Sequence, residues 1–394
     1  MVGEMDVEAL RAITPGCRNR IHLNNAGAGL LSTPTLDAMR AQLDLEAAIG
    51  GYEAAAQVAD QIEDAYRSLA QLLGGTAEQI ALFDNSTHAW NAAFYSVPLG
   101  PGDRVITAYS EYGSSVFAYW QVARRTGAEL VIAPNDASGQ VDVDALTSLI
   151  DERTKLIGLT WVPTSGGLVN PAAEVGRVAR AADVLYLLDA TQVAGQLPID
   201  VPSLGCDMLT GTGRKFLRGP RGTGFLWAGP RALERLEPFV VEIRSARWLG
   251  DDRFAWVDGA RRFESWETSY VNLLGLDAAV RQALELGVAA TASRAVALGH
   301  RLRDGLDDLD GVQTHDLGVE RCAIVSASVA GRPPDEVQRL LAGRGINVTT
   351  TDPEDNQLDP RGAELHPLVR FSPHYFNTED EIDRTLDEVA AVAR

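Results

Sequence analysis

Short apolar runs alternate with amphipathic stretches along the middle of the chain. Runs rich in β-favouring residues occur at 104–107, 130–133, 156–160 and 184–188. Between them, apolar residues recur at helical spacing over 115–123, 144–150 and 172–182. Alternation of strands and helices is typical of parallel sheets, because a crossover must join each strand to the next. The pattern therefore predicts an α/β fold, with a mostly parallel sheet between two layers of helices.

The pattern changes on both sides of this region. Apolar residues recur at helical spacing over 35–73, with an interruption at 50–52, and this predicts two helices before the sheet. After the sheet, the stretch 244–260 lacks such a pattern, which indicates an irregular, aromatic-rich loop. A long helical stretch starts near residue 272, and the strands and helices beyond it suggest an α+β unit. We therefore predict an N-terminal arm with a substrate loop (1–30), a large domain (31–271) and a smaller C-terminal domain (272–394).

Two residues in the sheet region carry candidate chemistry. The apolar run 184–188 ends in Asp189, and α/β folds bind small molecules at the carboxyl edge of a parallel sheet. Lys215 ends a small polar stretch, Thr-Gly-Thr-Gly-Arg-Lys, without helical or strand periodicity. Either residue alone is explained as an ordinary strand-end acid or a loop cation. Together they are the pair that pyridoxal 5'-phosphate (PLP) requires, in which the acid keeps the pyridine nitrogen protonated and the lysine holds the aldehyde.

Other polar positions allow two interpretations each. Ser86 and Thr87 precede a helical run, where hydroxyl groups either cap the helix or bind a phosphate at its positive end. The Tyr112 ring could stack on a planar ligand or simply pack. Arg370 lies inside an apolar strand, where its charge needs either a structural partner or a substrate carboxylate.

Composition narrows the class of protein. The chain has 394 residues, 45% of them hydrophobic and 23% charged, which is ordinary for a soluble globular protein. Its formal net charge of −19 argues against a nucleic-acid or anionic-membrane partner, since phosphate would be repelled. Cys17, Cys206 and Cys322 are widely separated, so we expect neither a disulfide framework nor a metal site. No leader-like start or run of ~20 apolar residues is present, so we expect a cytoplasmic protein without a membrane span.

In combination, these residues resemble the class V aminotransferase family of fold-type I PLP enzymes, which includes cysteine desulfurases, isopenicillin N epimerase and C–S lyases. The resemblance runs from the Leu-Asn-Asn-Ala stretch at 23–26 to the Arg-Phe-Ser-Pro-His-Tyr-Phe-Asn stretch at 370–377. It implies the fold-type I transferase fold, with a mostly parallel seven-stranded sheet in a large PLP-binding domain and a smaller α+β domain. It also implies a small amino-acid substrate and a homodimer with active sites at the subunit interface.

The resemblance also implies roles for individual residues. It implies that Lys215 is the catalytic lysine, which forms the Schiff base, and that Asp189 is the partner of the pyridinium nitrogen. Burial and the adjacent Arg214 should favour the neutral amine of Lys215. The implied cofactor-binding residues are Ser86, Thr87, Tyr112, Thr164, Asp189, Gln192, Thr212, Arg214 and Lys215, with Thr268 acting on the neighbouring subunit's cofactor. For the substrate, the implied residues are Arg370, on the carboxylate, and Asn25. Tyr112 stands where desulfurases have a ring-stacking histidine, and Arg214 replaces another histidine.

One departure from the family pattern concerns the reaction. Desulfurases carry a persulfide-forming cysteine shortly before the carboxylate-binding arginine, yet residues 349–365 include no cysteine. We therefore predict a C–S β-lyase acting on a cysteine S-conjugate or its sulfoxide, giving a thiol or sulfenic product, pyruvate and ammonia. Short segments at 22–26, 50–55, 111–113 and 214–222 resemble the C–S lyases of ergothioneine and lincosamide pathways. The alternatives are an aminotransferase, an epimerase, a decarboxylation-coupled oxidative deaminase, and a non-catalytic binding protein.

Overall fold

The computed structural model describes residues 5–353, 358–359 and 366–394. The strands in this part of the chain are β1 (Ile21–His22), β2 (Ile80–Phe83), β3 (Arg104–Ala108), β4 (Glu129–Ala133), β5 (Thr154–Thr160), β6 (Leu185–Asp189), β7 (Met208–Thr212), β8 (Gly224–Ala228), β9 (Ala246–Gly250), β10 (Arg253–Trp256), β11 (Val312–Thr314), β12 (Val325–Val329), β13 (Ile346–Asn347), β14 (Thr349–Thr351) and β15 (Leu368–Phe371).

The α-helices of the same residues are α1 (Val7–Ala12), α2 (Thr33–Ile49), α3 (Gly51–Gln57), α4 (Ala59–Leu73), α5 (Ser86–Phe94), α6 (Gly113–Thr126), α7 (Val143–Leu149), α8 (Ala172–Ala181), α9 (Val201–Leu204), α10 (Pro230–Arg235), α11 (Tyr270–Leu286), α12 (Val288–Asp307), α13 (Pro334–Gly343) and α14 (Glu379–Ala393). Short 3-10 helices lie at Pro15–Arg18, Ala77–Gln79 and Ala260–Phe263.

The central sheet has seven strands within the described residues, in the order β2-β8-β7-β6-β5-β3-β4. Strands β7, β6, β5, β3 and β4 pair in parallel, and β8 runs antiparallel to both of its neighbours. Every residue of β6 and β7 is buried, as expected for strands covered by helices on both faces. The predicted α/β fold with a mostly parallel sheet is therefore confirmed, and the carboxyl ends of β5, β6 and β7 lie side by side.

A second, antiparallel sheet in the order β11-β12-β15-β14 carries the C-terminal part of the chain. Arg370, on β15, pairs with Ser326 on β12 and with Thr349 on β14, so it lies in the middle of this sheet. The N-terminal arm joins the same region, because β1 pairs in parallel with β13. Helix α11 packs on α2 and α4 across the predicted boundary at 272, and the three-part division remains a prediction.

Two details of the sequence-based assignment are wrong. The stretch 244–260, expected to be irregular, contains the antiparallel hairpin β9–β10. Its turn places Gly250 at φ 93° and Asp251 at φ 50°, and glycine and aspartate are among the residues that accept this left-handed region. The stretch 35–73 forms three helices rather than two, because the chain also breaks at Val58, between α3 and α4. Among the described residues, no helix is long and apolar enough to cross a bilayer.

A buried ion pair anchors the loop that follows β5. Arg303 Nε lies 2.8 Å from Asp316 Oδ2, and the two side chains are only 3% and 0% exposed. The other carboxylate oxygen of Asp316 accepts hydrogen bonds from the backbone N–H groups of Gly167 (3.0 Å) and Ser326 (3.2 Å). One carboxylate therefore joins α12, the second sheet and the loop beside the end of β5.

We expect Asp316→Ala to lower the free energy of unfolding by about 3–5 kcal/mol, because it leaves the Arg303 charge buried without its partner. Urea unfolding followed by circular dichroism would measure the change. The matched control is Asp383→Ala, which breaks the Arg301–Asp383 pair at 2.6 Å, whose side chains are 48% and 47% exposed. That exposed pair should contribute far less, because solvent screens its charges. Equal losses in the two variants would contradict the importance of the buried pair.

Candidate active site

The carboxyl ends of three adjacent strands form one wall of a cleft. Thr160, Asp189 and Thr212 are the last residues of β5, β6 and β7, and Thr160 pairs in register with Asp189. The cleft encloses about 730 Å³, including space open to solvent. The sequence-predicted residues that line it are Ser86, Thr87, Tyr112, Thr164, Asp189, Gln192, Thr212, Arg214 and Lys215. Residues separated by more than a hundred positions thus meet at the edge of the sheet, as α/β folds arrange their sites.

Lys215 follows β7 and is buried, with only 7% of its surface exposed. Burial, helped by the neighbouring Arg214 and Arg370 charges, lowers the pKa of Lys215 to about 7. The carboxylate of Asp189 acts in the opposite direction. The expectation that burial and Arg214 favour the neutral amine is thus confirmed. The chain has two lysines, and the other, Lys155, has a side chain that is 44% exposed.

The glycine-rich N-terminal loop packs directly on the backbone of this lysine. Gly29 N donates a 2.8 Å hydrogen bond to Arg214 O. A Cβ atom on Gly29 would lie 2.5 Å from Lys215 O, so only glycine allows this approach. Arg214 Nη1 donates to Gly27 O, which ties the side chain beside Lys215 to the same loop.

Asp189 is held by the turn that follows its strand. Its Oδ1 accepts a 2.8 Å hydrogen bond from Thr191 N. Burial raises the pKa of Asp189 above its ordinary range, while Thr191 and the charge of Lys215 oppose the increase. A carboxylate at this position would be stabilised by any ligand that brings a positive N–H group into the cleft.

Ser86 and Thr87 open α5, so the backbone N–H groups of its first turn point toward the cleft. Asn85 caps the helix by accepting a 2.8 Å bond from His88 N, which leaves the hydroxyl groups of Ser86 and Thr87 beside the free N–H groups. The neighbouring strand allows this approach because residue 224 is glycine; a Cβ there would lie 2.2 Å from the carbonyl carbon of Asn85. Such a helix start suits a phosphate group.

The other side of the cleft contains a hydrogen-bonded chain of three predicted residues. Gln192 Nε2 donates to Thr164 Oγ1 at 3.2 Å, and Arg370 Nη1 donates to the same oxygen at 2.9 Å. Arg370 Nη1 also donates to Thr164 O at 2.7 Å. Arg370 does not itself line the cleft, but its guanidinium contacts a residue that does, and this places it next to the cleft.

Two predicted residues are not brought into this cleft. Asn25 is completely buried, and its Nδ2 donates to His22 O (3.3 Å) and Ser372 O (2.8 Å), so its side chain serves the packing of the arm on the end of β15. Its expected contact with a substrate stays a prediction. Thr268 is exposed and lines a different groove, shared with Phe239 and Arg244. Its expected action on a neighbouring subunit stays a prediction.

The geometry fits PLP. The cleft joins a helix start suited to the phosphate, a buried amine with a lowered pKa, and a buried acid. It also contains Gln192 Oε1, which is buried and has no hydrogen-bond partner among the described residues, so a polar ligand group is needed there. Within those residues, no cluster of His, Cys, Asp and Glu is arranged to hold a metal ion.

Sequence reasoning missed several residues of the cleft. The structure adds the wall residues Asn85, Trp90, Ser114, Ser115, Thr160, Val162 and Thr191. Thr160 had a usable signal, because it ends a strand next to the one that ends in Asp189. Thr191 had none: its Oγ1 shares a hydrogen bond with Ser86 Oγ, a contact between residues 105 positions apart. Thr212 lines the cleft, but its hydroxyl donates to Thr223 O at 2.9 Å, so only its lone pairs face a ligand.

The lowered pKa of Lys215 predicts a pH dependence for the apoprotein. Only a neutral amine attacks an aldehyde, so the rate of PLP attachment should rise as pH increases through about 7 and then level off. An ordinary lysine would titrate near ~10.4. Since the unfolded chain then binds more protons than the folded one between these values, this group also makes stability increase with pH across that window. Stopped-flow absorbance at a series of pH values would measure the rate.

The control for this prediction is Arg214→Gln. Removing the guanidinium charge should raise the pKa of Lys215 and move the midpoint of the rate profile to higher pH. A wild-type midpoint near ~10 would contradict the prediction. An unchanged midpoint in the variant would show that the Arg214 charge does not contribute to the lowered pKa of Lys215.

Comparisons with known proteins agree with this geometry. The family model described as aminotransferase class-V matches residues 21–385. A probable cysteine desulfurase of Methanothermobacter thermautotrophicus is 25% identical over 401 aligned residues, which cover 98% of this chain and 99% of the relative. The structure of a cysteine desulfurase from Thermococcus onnurineus NA1 superposes with a TM-score of 0.91 at 22% identity, covering 100% and 99% of the two chains. That of the cystine C–S lyase C-DES gives 0.85 at 24% identity, covering 96% and 99%.

Proposed function

This chain belongs to the class V aminotransferase family, whose members are PLP-dependent enzymes, and we propose that it is a C–S β-lyase acting on a cysteine S-conjugate or its sulfoxide. The net reaction consumes one water and releases pyruvate, ammonia and a thiol, or a sulfenic acid when the substrate is a sulfoxide. The Cα–H and Cβ–S bonds break, and the sulfur group leaves with the bonding electron pair. The name of one similar structure, a cystine C–S lyase, supports this reaction class.

Bound PLP supplies an electron-accepting ring and an aldehyde to which amines add. We infer that the start of α5, with Ser86 and Thr87, binds its phosphate, and that the Tyr112 ring covers one face. Asp189 would hold the ring nitrogen through a charge-assisted hydrogen bond. Gln192 Oε1, which has no partner among the described residues, would bind a polar group of the cofactor. Thr164 would lie beside that group, since it accepts a hydrogen bond from Gln192 Nε2.

Arg370 and Lys215 would act on the substrate. Arg370 already donates to Thr164, and its planar guanidinium fork is suited to binding a substrate carboxylate beside that residue. With a pKa of about 7, Lys215 has a large neutral fraction at neutral pH and can accept the Cα proton at Nζ as a general base. Only 7% of its surface is exposed, which limits the access of water to this proton transfer.

The observation that favours a lyase over a desulfurase is the position of the cysteines. A desulfurase needs a thiolate on the protein to receive the sulfur. Cys206 and Cys322 are buried with pKa values raised by burial, and none of the three cysteines lines the cleft in the described part of the chain. The stretch 349–365 has no cysteine in its sequence; parts of it, 354–357 and 360–365, lie outside the described residues.

A product assay would test the proposal. Purified protein with PLP is incubated with S-methyl-L-cysteine sulfoxide or with an aromatic S-conjugate of L-cysteine, and pyruvate, ammonia and released sulfur product are measured. Equal amounts of the three products are expected. Alanine and protein-bound sulfur from L-cysteine would instead identify a desulfurase, the activity named for several relatives. Inversion at Cα, or amino transfer to a 2-oxo acid without pyruvate release, would identify an epimerase or an aminotransferase.

We also propose that the protein is a homodimer, as its family resemblance implies. Large apolar side chains are exposed in the groove that contains Thr268 and in the segments next to it in the chain: Phe239 and Val240 line the groove, Val241 and Ile243 follow them, Trp248, Leu249 and Phe254 lie on the β9–β10 hairpin, and Trp266 lies just before Thr268. Exposed apolar patches of this kind are typical of protein interfaces. A second copy would cover them and bring Thr268 toward another active site.

Light scattering should therefore give twice the 42.3 kDa mass of one chain. Trp248, which is 81% exposed on the hairpin, offers a sharp variant: Trp248→Glu should weaken the dimer at least tenfold, because it places a charge in an apolar contact. Val319→Glu is the matched control, since Val319 is 85% exposed away from this stretch of the chain. A monomeric wild type would contradict the proposal.

A further inference from the structure

A buried acid lies directly behind the cleft wall. Glu111 follows β3, is only 4% exposed and does not line the cleft itself. Its Oε2 accepts a 2.7 Å hydrogen bond from Thr107 Oγ1. Its Oε1 accepts one from Tyr112 N at 2.9 Å and another from Thr160 Oγ1. Three donors therefore converge on one carboxylate, and this favours its charged form, whereas burial raises the pKa of Glu111.

The three donors come from three different elements. Thr107 lies on β3, Thr160 ends β5, and Tyr112 is the residue before the first turn of α6. Thr160 and Tyr112 line the cleft, whereas Thr107 does not. Glu111 thus connects the wall of the cleft formed by the strand ends, next to Asp189, with Tyr112, which also lines the cleft.

Hydrogen-bond polarity gives this arrangement a consequence for ligands. Thr160 has one hydroxyl proton and donates it to Glu111, so its oxygen presents only lone pairs to the cleft. Tyr112 N is fixed at the start of α6, and this limits where its 41% exposed side chain can lie. Tyr112 N cannot accept a hydrogen bond, so a donor at position 111 would turn toward the Thr107 hydroxyl, which can accept; only a side chain without either oxygen would lose both contacts that lead into the cleft.

We propose that Glu111 is the positioning residue for the ring of the cofactor: as a buried acceptor it sets the direction of the Thr160 hydroxyl and the place of the Tyr112 ring. The inference rests on the PLP site of the proposed function. The Oε1 atom of Glu111 binds Thr160 and Tyr112, which line the cleft, whereas its Oε2 atom binds Thr107, which does not. The Oε1 contacts therefore give Glu111 a role beyond holding strands together.

The decisive variant is Glu111→Leu, which keeps a side chain of similar size but removes both acceptor oxygens and therefore both contacts that lead into the cleft. We expect the dissociation constant of PLP from the apoprotein, measured by fluorescence quenching, to rise about tenfold. We also expect the visible circular dichroism per bound cofactor to change, since that signal reports how the ring is held. Loss of folding stability alone would not change the signal of the bound fraction.

Two further variants separate positioning from anchoring. Thr107→Val removes the Oε2 contact and should leave both the dissociation constant, within about twofold, and the dichroism unchanged. Thr160→Val removes one of the two contacts that lead into the cleft and should reproduce the dichroism change even if Glu111→Leu does not fold. Wild-type-like dichroism in the Glu111→Leu and Thr160→Val proteins, or an equal change in Thr107→Val, would overturn the inference. A wild-type protein that binds no PLP would overturn the proposed function as well.

Discussion

We expect Lys215→Ala to remove the yellow colour of the protein and to lower turnover of a cysteine S-conjugate by about 10³–10⁴-fold. The variant loses both the amine that attaches the cofactor and the base that accepts the Cα proton, and a positioned general base alone contributes ~10²–10⁴-fold. Burial and two neighbouring guanidinium groups lower the pKa of this amine to about 7, so that a large fraction is neutral at neutral pH, and a water molecule in its place would be a much weaker base. Visible absorbance and the pyruvate assay would measure the two losses.

The chain provides an unusually direct control for this prediction, because it contains one other lysine. Lys155 lies near the start of β5, at the end of the strand opposite the cleft, and its Nζ donates to Glu152 O at 3.2 Å. Lys155→Ala should keep full colour and full turnover. Borohydride reduction followed by peptide mass spectrometry should place the cofactor on Lys215 and not on Lys155. A Lys215→Ala protein that keeps both colour and turnover would refute the assignment.

Asp189→Asn should lower kcat by about 10²–10³-fold while PLP still binds. The amide has nearly the shape of the carboxylate but no negative charge, so it cannot stabilise a protonated ring nitrogen, and the loss of one such electrostatic group typically costs this much. The backbone bond from Thr191 N to Oδ1 can persist, so the fold should survive. Steady-state kinetics should show the loss in kcat rather than in KM.

The control for Asp189 is Asp207→Asn. Asp207 is also buried, and its Oδ2 accepts a 2.9 Å hydrogen bond from Tyr186 N at the opposite end of β6, away from the cleft. This variant should lose stability but retain the kcat of the folded protein. Equal losses of kcat in both variants would mean that the sheet, rather than the charge beside the cofactor, was disturbed.

Much of the site was predictable because its chemistry is local in the chain. Asp189 ends an apolar strand, Ser86 and Thr87 begin a helix, and Lys215 follows a stretch of small residues; each signal occupies fewer than ten positions. The comparisons then agree with the family that these residues resemble. Asn25 had no such local signal, because a glycine-rich loop can turn its polar side chains either way; here the backbone carbonyl groups of His22 and Ser372 accept from its amide NH2 group, and its contact with a substrate stays a prediction.

Periodicity and short motifs by themselves determined the mostly parallel sheet, the acid at its edge and the lysine beyond it, because strand pattern and helix starts depend on neighbouring residues. Only the tertiary structure decided how the remaining groups meet. The link from Arg370 to Thr164 joins positions 206 apart, and the Glu111 carboxylate gathers donors from two strands and a helix start. The burial that lowers the pKa of Lys215 likewise depends on the packing of the whole chain and not on the residues next to Lys215 in the sequence.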